Sequence, residues 1–332
     1  MDLLADWIVS LHASLGPTLF FVISTGLAIA CFLLITVTTD LMVNNAAGLT
    51  AKFLGPKART LVINASTNNP ELATMIVSMG IRRMGGWANP LGSLLANFYL
   101  MYLLAIVFVM VKFAVLGQFS KIRQLISLLV RERRLLGWHL VMAAGALVFG
   151  TSALLIMRHG LPFFGSRASD STTPATGIAM YVALGILVAA IALFFLLERR
   201  LKKSRPELFT DIDASEHSES WLGFVAGAAG LIGSCWVMNE LFVAWSEVYG
   251  EALQAITGPV VFLALHYVIG SLMTSLPELL VAMQNYQRLT IPDLNTALGS
   301  ASYSNLTNLI IAALGLIVFI ALTGFGVVLP WQ

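Results

Sequence analysis

The chain has 332 residues, of which 58% are hydrophobic and 11% charged, with a formal net charge of +2 and a mean hydropathy of +0.85. Soluble domains carry about 25% charged residues, so this composition excludes a soluble globular protein and points to an all-α polytopic membrane protein. Its partners are the lipid bilayer and, as developed below, inorganic cations, and the basic residues sit in short loops that give no reason to expect nucleic acid.

In chain order, residues 1–16 read as a short amphipathic lead-in, without the basic n-region of a signal peptide. Apolar windows of about 20 residues then place eight spans near 17–39, 59–82, 88–112, 136–157, 176–197, 222–246, 259–287 and 294–325, with ends defined to within several residues. The run Lys121 to Arg134 alternates basic and apolar residues, which fits either an interfacial helix or a positive loop. Residues 198–220 are polar and read as a linker, dividing the chain into 1–197 (about five spans) and 221–332 (about three). Cys31 and Cys235 both fall in apolar segments, so no disulfide framework is expected.

Basic residues set the orientation. Lys52, Lys57 and Arg59 follow span one, Lys121, Arg123, Arg131, Arg133 and Arg134 follow span three, and Arg199, Arg200, Lys202, Lys203 and Arg205 follow span five. The opposite connections hold only Arg82, Arg83, Arg158 and Arg167. The basic loops are therefore expected in the cytoplasm and the N-terminus outside, in the cell (plasma or inner) membrane.

Two unusual stretches interrupt this apolar background: Thr67-Asn68-Asn69-Pro70-Glu71 and Thr274-Ser275-Leu276-Pro277-Glu278. Proline removes a backbone donor, here from the carbonyls of Ser66 and Met273, and the glutamate beside it is costly in hydrocarbon. A Gly-Ser pair follows each glutamate at one spacing (92 − 71 = 21 and 299 − 278 = 21), which marks an internal repeat. With the orientation above, the two devices run antiparallel and meet near the midplane as inverted repeats. Asp40-Leu41-Met42-Val43 and Glu240-Leu241-Phe242-Val243 extend the repeat upstream. Both acids are expected close to a water interface, in a solvated or capping role.

Glu71 and Glu278 can be structural acids, protonated or bonded to a neighbouring helix. Buried acids in spans more often mark ion or proton paths, and the symmetric pair favours that reading. Thr67, Asn68, Asn69, Thr274 and Ser275 surround them with hard oxygens, to which the freed carbonyls of Ser66 and Met273 add. Calcium takes about 6–8 such ligands, and two carboxylates balance one divalent ion. After the Gly-Ser pairs, Asn97 and Ser304 occupy equivalent places, with Asn305 and Asn308 following. Gly223, Gly227, Gly230 and Gly233 read as packing positions.

These motifs resemble the cation/Ca2+ exchanger superfamily, and the sodium/calcium exchangers in particular, whose two inverted repeats each carry G-T-S-x-P-E and then G-S-N-x-x-N. The resemblance covers residues 40–112 and 240–320. It implies a midplane cation site with ligands at Thr67, Asn68, Glu71, Ser93, Asn97, Thr274, Ser275, Glu278, Ser300 and Ser304, and alternating access as spans one and six slide across it. The chain departs from the pattern in several places. Ser66 replaces the glycine and Asn68 the serine of the first motif, Leu94 and Ala301 replace the first asparagine of the second, and Ser304 stands where many prokaryotic members carry aspartate. Eight spans also stand against the family's ten, which calls for a homodimer or partner subunit to cover the second half.

The expected function is secondary antiport of Ca2+ against Na+. Proton-coupled divalent-cation exchange is the alternative, with a cation channel or a non-transporting ion-binding homologue behind it. No H-E-x-x-H, G-x-S-x-G or P-loop signature occurs, so neither an enzyme nor a cofactor is expected, only the transported ions Ca2+ and Na+ (or H+).

Overall fold

The computed structural model describes residues 3–53, 67–68, 71–72, 75–76, 85–159, 178–209, 219–257 and 275–325. Among these there are helices and no strand, and six helices are long and apolar enough to cross a membrane. That architecture fits an integral membrane protein. The predicted span 59–82 lies largely outside the described residues, as do Ser66, Asn69, Met273 and Thr274.

The lead-in is a separate helix, α1 (Leu3–Leu15), ended by Gly16 at φ +75°. Proline at the first position, where its missing N–H costs nothing, starts α2 (Pro17–Phe53). The chain continues as α3 (Gly85–Tyr99), a π-helical turn (Leu100–Leu104), α4 (Ala105–Val115), α5 (Phe119–Arg131), α6 (Arg133–His159) and α7 (Ile178–Ser204). A short 3₁₀ turn (Pro206–Phe209) follows, then α8 (Trp221–Thr257), α9 (Leu276–Arg288) and α10 (Ile291–Gly324). Helix α7 thus runs into the stretch read as linker, and Lys121 to Arg131 is helical rather than a loop.

Helices α2 and α8 are each 37 residues long and pack antiparallel. Gly223 lies against Asn45, Gly227 against the backbone of Met42, and Gly230 against Thr38. A Cβ on Gly227 would stand 2.6 Å from Met42 N, so the missing side chain is what lets these backbones approach. Gly233 departs from the packing expectation, since nothing lies within 4 Å of its virtual Cβ.

The length of these helices also corrects the expectation for Asp40 and Glu240. Both predicted ends fall too early, so neither acid sits at a helix terminus. Glu240 is buried and Asp40 half-buried, with Gln284 Nε2 donating to Asp40 Oδ1 at 2.7 Å.

Helix α10 is the central element and packs against α3, α6, α7 and α9. Its partner α3–α4 runs antiparallel to it. Trp87 Nε1 donates to Ala312 O at 2.7 Å, Asn305 Nδ2 to Leu94 O at 3.2 Å and Tyr102 OH to Leu298 O at 3.1 Å, so the numbers fall along one helix as they rise along the other.

Candidate cation site

Each glutamate stands just after a tight turn. Thr67 and Asn68 form a turn and Glu71 and Leu72 are helical, with Leu72 N donating to Asn68 O at 3.1 Å. In the second stretch Ser275 caps α9, Pro277 occupies its first turn, and Leu279 N donates to Ser275 O at 3.1 Å. Pro277 therefore opens a helix, where a proline has no intrahelical donor to lose. Glu278 falls in the first turn, whose N–H groups and helix dipole favour a carboxylate.

The two stretches come together in the interior. Glu71 and Glu278 are fully buried (0% exposed), as are Thr67, Asn97, Ser275, Ser300 and Ser304, while Asn68 and Ser93 are 1% exposed. The two carboxyls are close enough to interact electrostatically, and the Thr67 side chain also reaches Glu278. Cys235 of α8 lies within electrostatic reach of both glutamates and of Cys31.

Ser304 is the hub. It accepts from Asn97 Nδ2 at 2.7 Å and has Asn68 Oδ1 at 2.9 Å and Glu278 Oε1 at 3.4 Å. A hydroxyl has one proton, and the shorter distance gives it to Asn68, leaving Glu278 weakly served. Ser93 Oγ reaches Glu71 Oε1 at 3.3 Å. Ser93 Oγ also has Asn89 O of its own helix at 3.3 Å, and its repeat counterpart Ser300 has the matching contact, donating to Thr296 O at 3.2 Å.

Buried polar atoms in folded proteins are nearly always partnered. Here Glu278 Oε2, Ser275 Oγ and Asn97 Oδ1 have no hydrogen-bond partner among the described residues. No basic side chain pairs with Glu278 among them either. The arrangement is rich in hard oxygen and poor in donors, as suits a cation that prefers oxygen. Among the described residues no three His, Cys, Asp or Glu side chains gather as a metal cage, so the centre rests on two carboxyls and neutral oxygens.

Asn308 belongs beside this group. It is fully buried, neither side-chain atom has a partner among the described residues, and it follows Ser300 and Ser304 at helical spacing on one face of α10. The i, i+4, i+8 pattern of Ser300, Ser304 and Asn308 is visible in the sequence and was the signal for it.

The other face of α10 carries a second polar cluster. His139 of α6 bonds Ser302 Oγ at 2.7 Å through Nδ1 and Asn295 Oδ1 at 3.0 Å through Nε2. Tyr303 OH donates to Glu198 Oε1 at 3.0 Å, and Lys202 Nζ pairs with the same oxygen at 2.8 Å. Asn305 ties the core together by donating to Leu94 O at 3.2 Å and Ala143 O at 3.4 Å.

No family model matches the chain, and no curated protein or solved structure is significantly similar to it.

Proposed function

We propose that the chain is a secondary active cation antiporter, exchanging Ca2+ for Na+ by alternating access at a site built on Glu71 and Glu278. The observation that carries the reading is the convergence of the two buried glutamate-bearing stretches on Ser304, which has Asn68 Oδ1 at 2.9 Å and Glu278 Oε1 at 3.4 Å, among orphaned oxygens of Asn97, Ser275 and Glu278 itself. Two negative charges match one divalent ion. Side chains of Thr67, Asn68, Ser93, Asn97, Ser275 and Ser304 supply neutral oxygens toward the six to eight that calcium takes.

An inverted repeat is the scaffold that brings such a pair together. A shift of 207 residues carries Glu71 onto Glu278, Asn68 onto Ser275, Ser93 onto Ser300 and Asn97 onto Ser304. Residues on a two-fold axis touch their own counterparts, and the Asn97–Ser304 hydrogen bond at 2.7 Å is such a contact. The antiparallel courses of α3–α4 against α10 and of α2 against α8 support the same relation. In this reading the chain resembles the sodium/calcium exchangers, with its basic connections in the cytoplasm and its N-terminus outside. A second copy or a partner subunit covers the second half.

Protons are the competing counter-ion, favoured by one observation. Ser304 stands in place of a third acid, so only two carboxyls are available for monovalent cations or protons. Calcium uptake into vesicles, under an imposed sodium gradient, a proton gradient or neither, separates the readings. The expected result is uptake that requires outward-directed sodium. Equal uptake on a proton gradient with sodium absent would assign proton coupling, and uptake without any counter-ion would assign a channel. Under sodium coupling, Ser304→Asp is expected to tighten cation binding and alter the sodium dependence, whereas under proton coupling it chiefly moves the pH profile.

A further inference from the structure

Helix α5 takes no part in the cation site, yet it is built for a definite environment. Gly117, at φ +70°, turns the chain out of α4. The 13 residues that follow span about 20 Å at 1.5 Å per residue and carry Lys121, Arg123 and Arg131, so they do not cross a bilayer. They join two spanning helices, which places α5 at a membrane surface.

Three stripes run along it. Leu125 and Leu128 are buried against the protein, and Phe119, Ile126 and Val130 form an exposed apolar edge. Between them lies a polar stripe of Arg123, Ser127 and Arg131, four residues apart. This stripe, with Gln124 and Leu128, walls an open cavity of about 440 Å³ whose far side is Leu289. Leu289 is the elbow between α9 and α10 and stands at φ +58°, the sole non-glycine residue with positive φ among the described residues.

The cavity is electropositive. Arg123 makes no ion pair among the described residues. Arg131 approaches Glu132 only at 3.6 Å, and Glu132 is held more closely by Arg205, at 3.0 Å. Arg288, next to the elbow, is matched by Asp293 at 3.3 Å and adds no uncompensated charge.

We propose that this cavity binds the phosphodiester headgroup of an anionic membrane lipid. Guanidinium groups are the preferred partners of phosphate oxygens, and basic side chains at a membrane surface attract anionic lipid. The apolar edge selects the source. Phe119, Ile126 and Val130 adjoin the arginine stripe, so acyl chains lie over them while the phosphate sits between Arg123 and Arg131. A free anion has no use for that edge. The occupied cavity bridges α5 to the elbow that joins the Glu278-bearing helix to the Ser304-bearing one. The proposal stands whether or not the chain is an antiporter.

The test is native mass spectrometry of the detergent-delipidated protein titrated with phosphatidylglycerol or phosphatidylcholine. The expected result is at least a tenfold preference for phosphatidylglycerol. It should be lost in Arg123→Gln/Arg131→Gln and kept in the charge-matched control Arg199→Gln/Arg200→Gln, whose side chains are exposed at the end of α7. Arg123→Lys/Arg131→Lys retains charge and stem, so it covers the case in which the glutamine variant fails to fold, and it should keep most of the preference. Equal binding of the two lipids, a preference unchanged by the glutamine pair, or an equal loss in the control would overturn the assignment. Displacement of phosphatidylglycerol by millimolar inorganic phosphate would also overturn it, by assigning the cavity to a free anion.

Discussion

Helix α10 presents polar side chains on two faces, and the two are satisfied to different degrees. On the rear face His139 uses both ring nitrogens, on Ser302 and Asn295, and Glu198 is held by Tyr303 and Lys202, so that among the described residues of this cluster Asn295 Nδ2 is the one buried side-chain atom left without a partner. On the front face the cluster around Glu278 leaves Glu278 Oε2, Ser275 Oγ and both side-chain atoms of Asn308 without partners among the described residues. A buried network that is complete holds helices in register. One that is incomplete costs stability unless something else enters, since each orphaned buried polar group costs about 1–3 kcal/mol. Among the described residues the rear face is thus the more nearly satisfied of the two, and the front face, on which the proposed cation site rests, carries more orphaned polar atoms.

That contrast is sharpest at the glutamates. Glu71→Gln and Glu278→Gln keep shape and hydrogen-bonding capacity but remove one of two balancing charges. Losing one partner of a buried charge pair costs about 3–5 kcal/mol. Each variant is therefore expected to lose calcium-dependent flux by more than about 100-fold, while still inserting and purifying as wild type. Robust flux from either would show the acids to be structural.

The rear face should behave in the reverse manner. His139→Ala orphans Asn295 Oδ1, leaves Ser302 only Gly299 O at 3.4 Å and opens a cavity, so a loss of about 2–4 kcal/mol is expected. Thermal unfolding in detergent would register it, whereas cation affinity of the folded fraction should stay within about threefold of wild type. A selective loss of cation binding without destabilisation would move His139 into the site.

Asn308 tests the front face from the stability side. Asn308→Leu replaces an unpartnered buried amide by an apolar group of similar size, so the ion-free protein should gain about 1–2 kcal/mol. Cation binding, read by calcium-dependent thermal stabilisation, should weaken. Destabilisation of the ion-free protein would mean that Asn308 has a structural partner after all.

The smallest effect is expected at Tyr303. Tyr303→Phe removes one hydrogen bond to Glu198, which keeps Lys202, so about 1–2 kcal/mol of stability should be lost and flux should be nearly unchanged. A large flux defect would connect the two faces and break the distinction between them.

Much of this was legible in the sequence because it depends on local chemistry. Hydropathy alone identifies a helical membrane protein, since about 20 consecutive apolar residues have few other uses. Proline beside glutamate marks a turn with a buried acid, and the equal spacings to the two Gly-Ser pairs give Asn97 and Ser304 equivalent places, whereas their hydrogen bond to each other is seen only in the structure. The glycines at 223, 227 and 230 likewise announce a close helix contact. What tertiary structure alone decided concerns which neighbours are packed against each side chain. Ser93 and Ser300 both reach the carbonyl four residues back, and it is the packing that adds Glu71 Oε1 at 3.3 Å to Ser93. Glu240 is buried on a helix that runs on to Thr257, an extent that hydropathy does not reveal. Ser302 and Ser304 are two residues apart yet face different helices, because 100° of rotation per residue puts them on opposite sides of one cylinder. Composition could list the polar side chains of α10, but only the neighbours decide which are matched and which are left without a partner among the described residues.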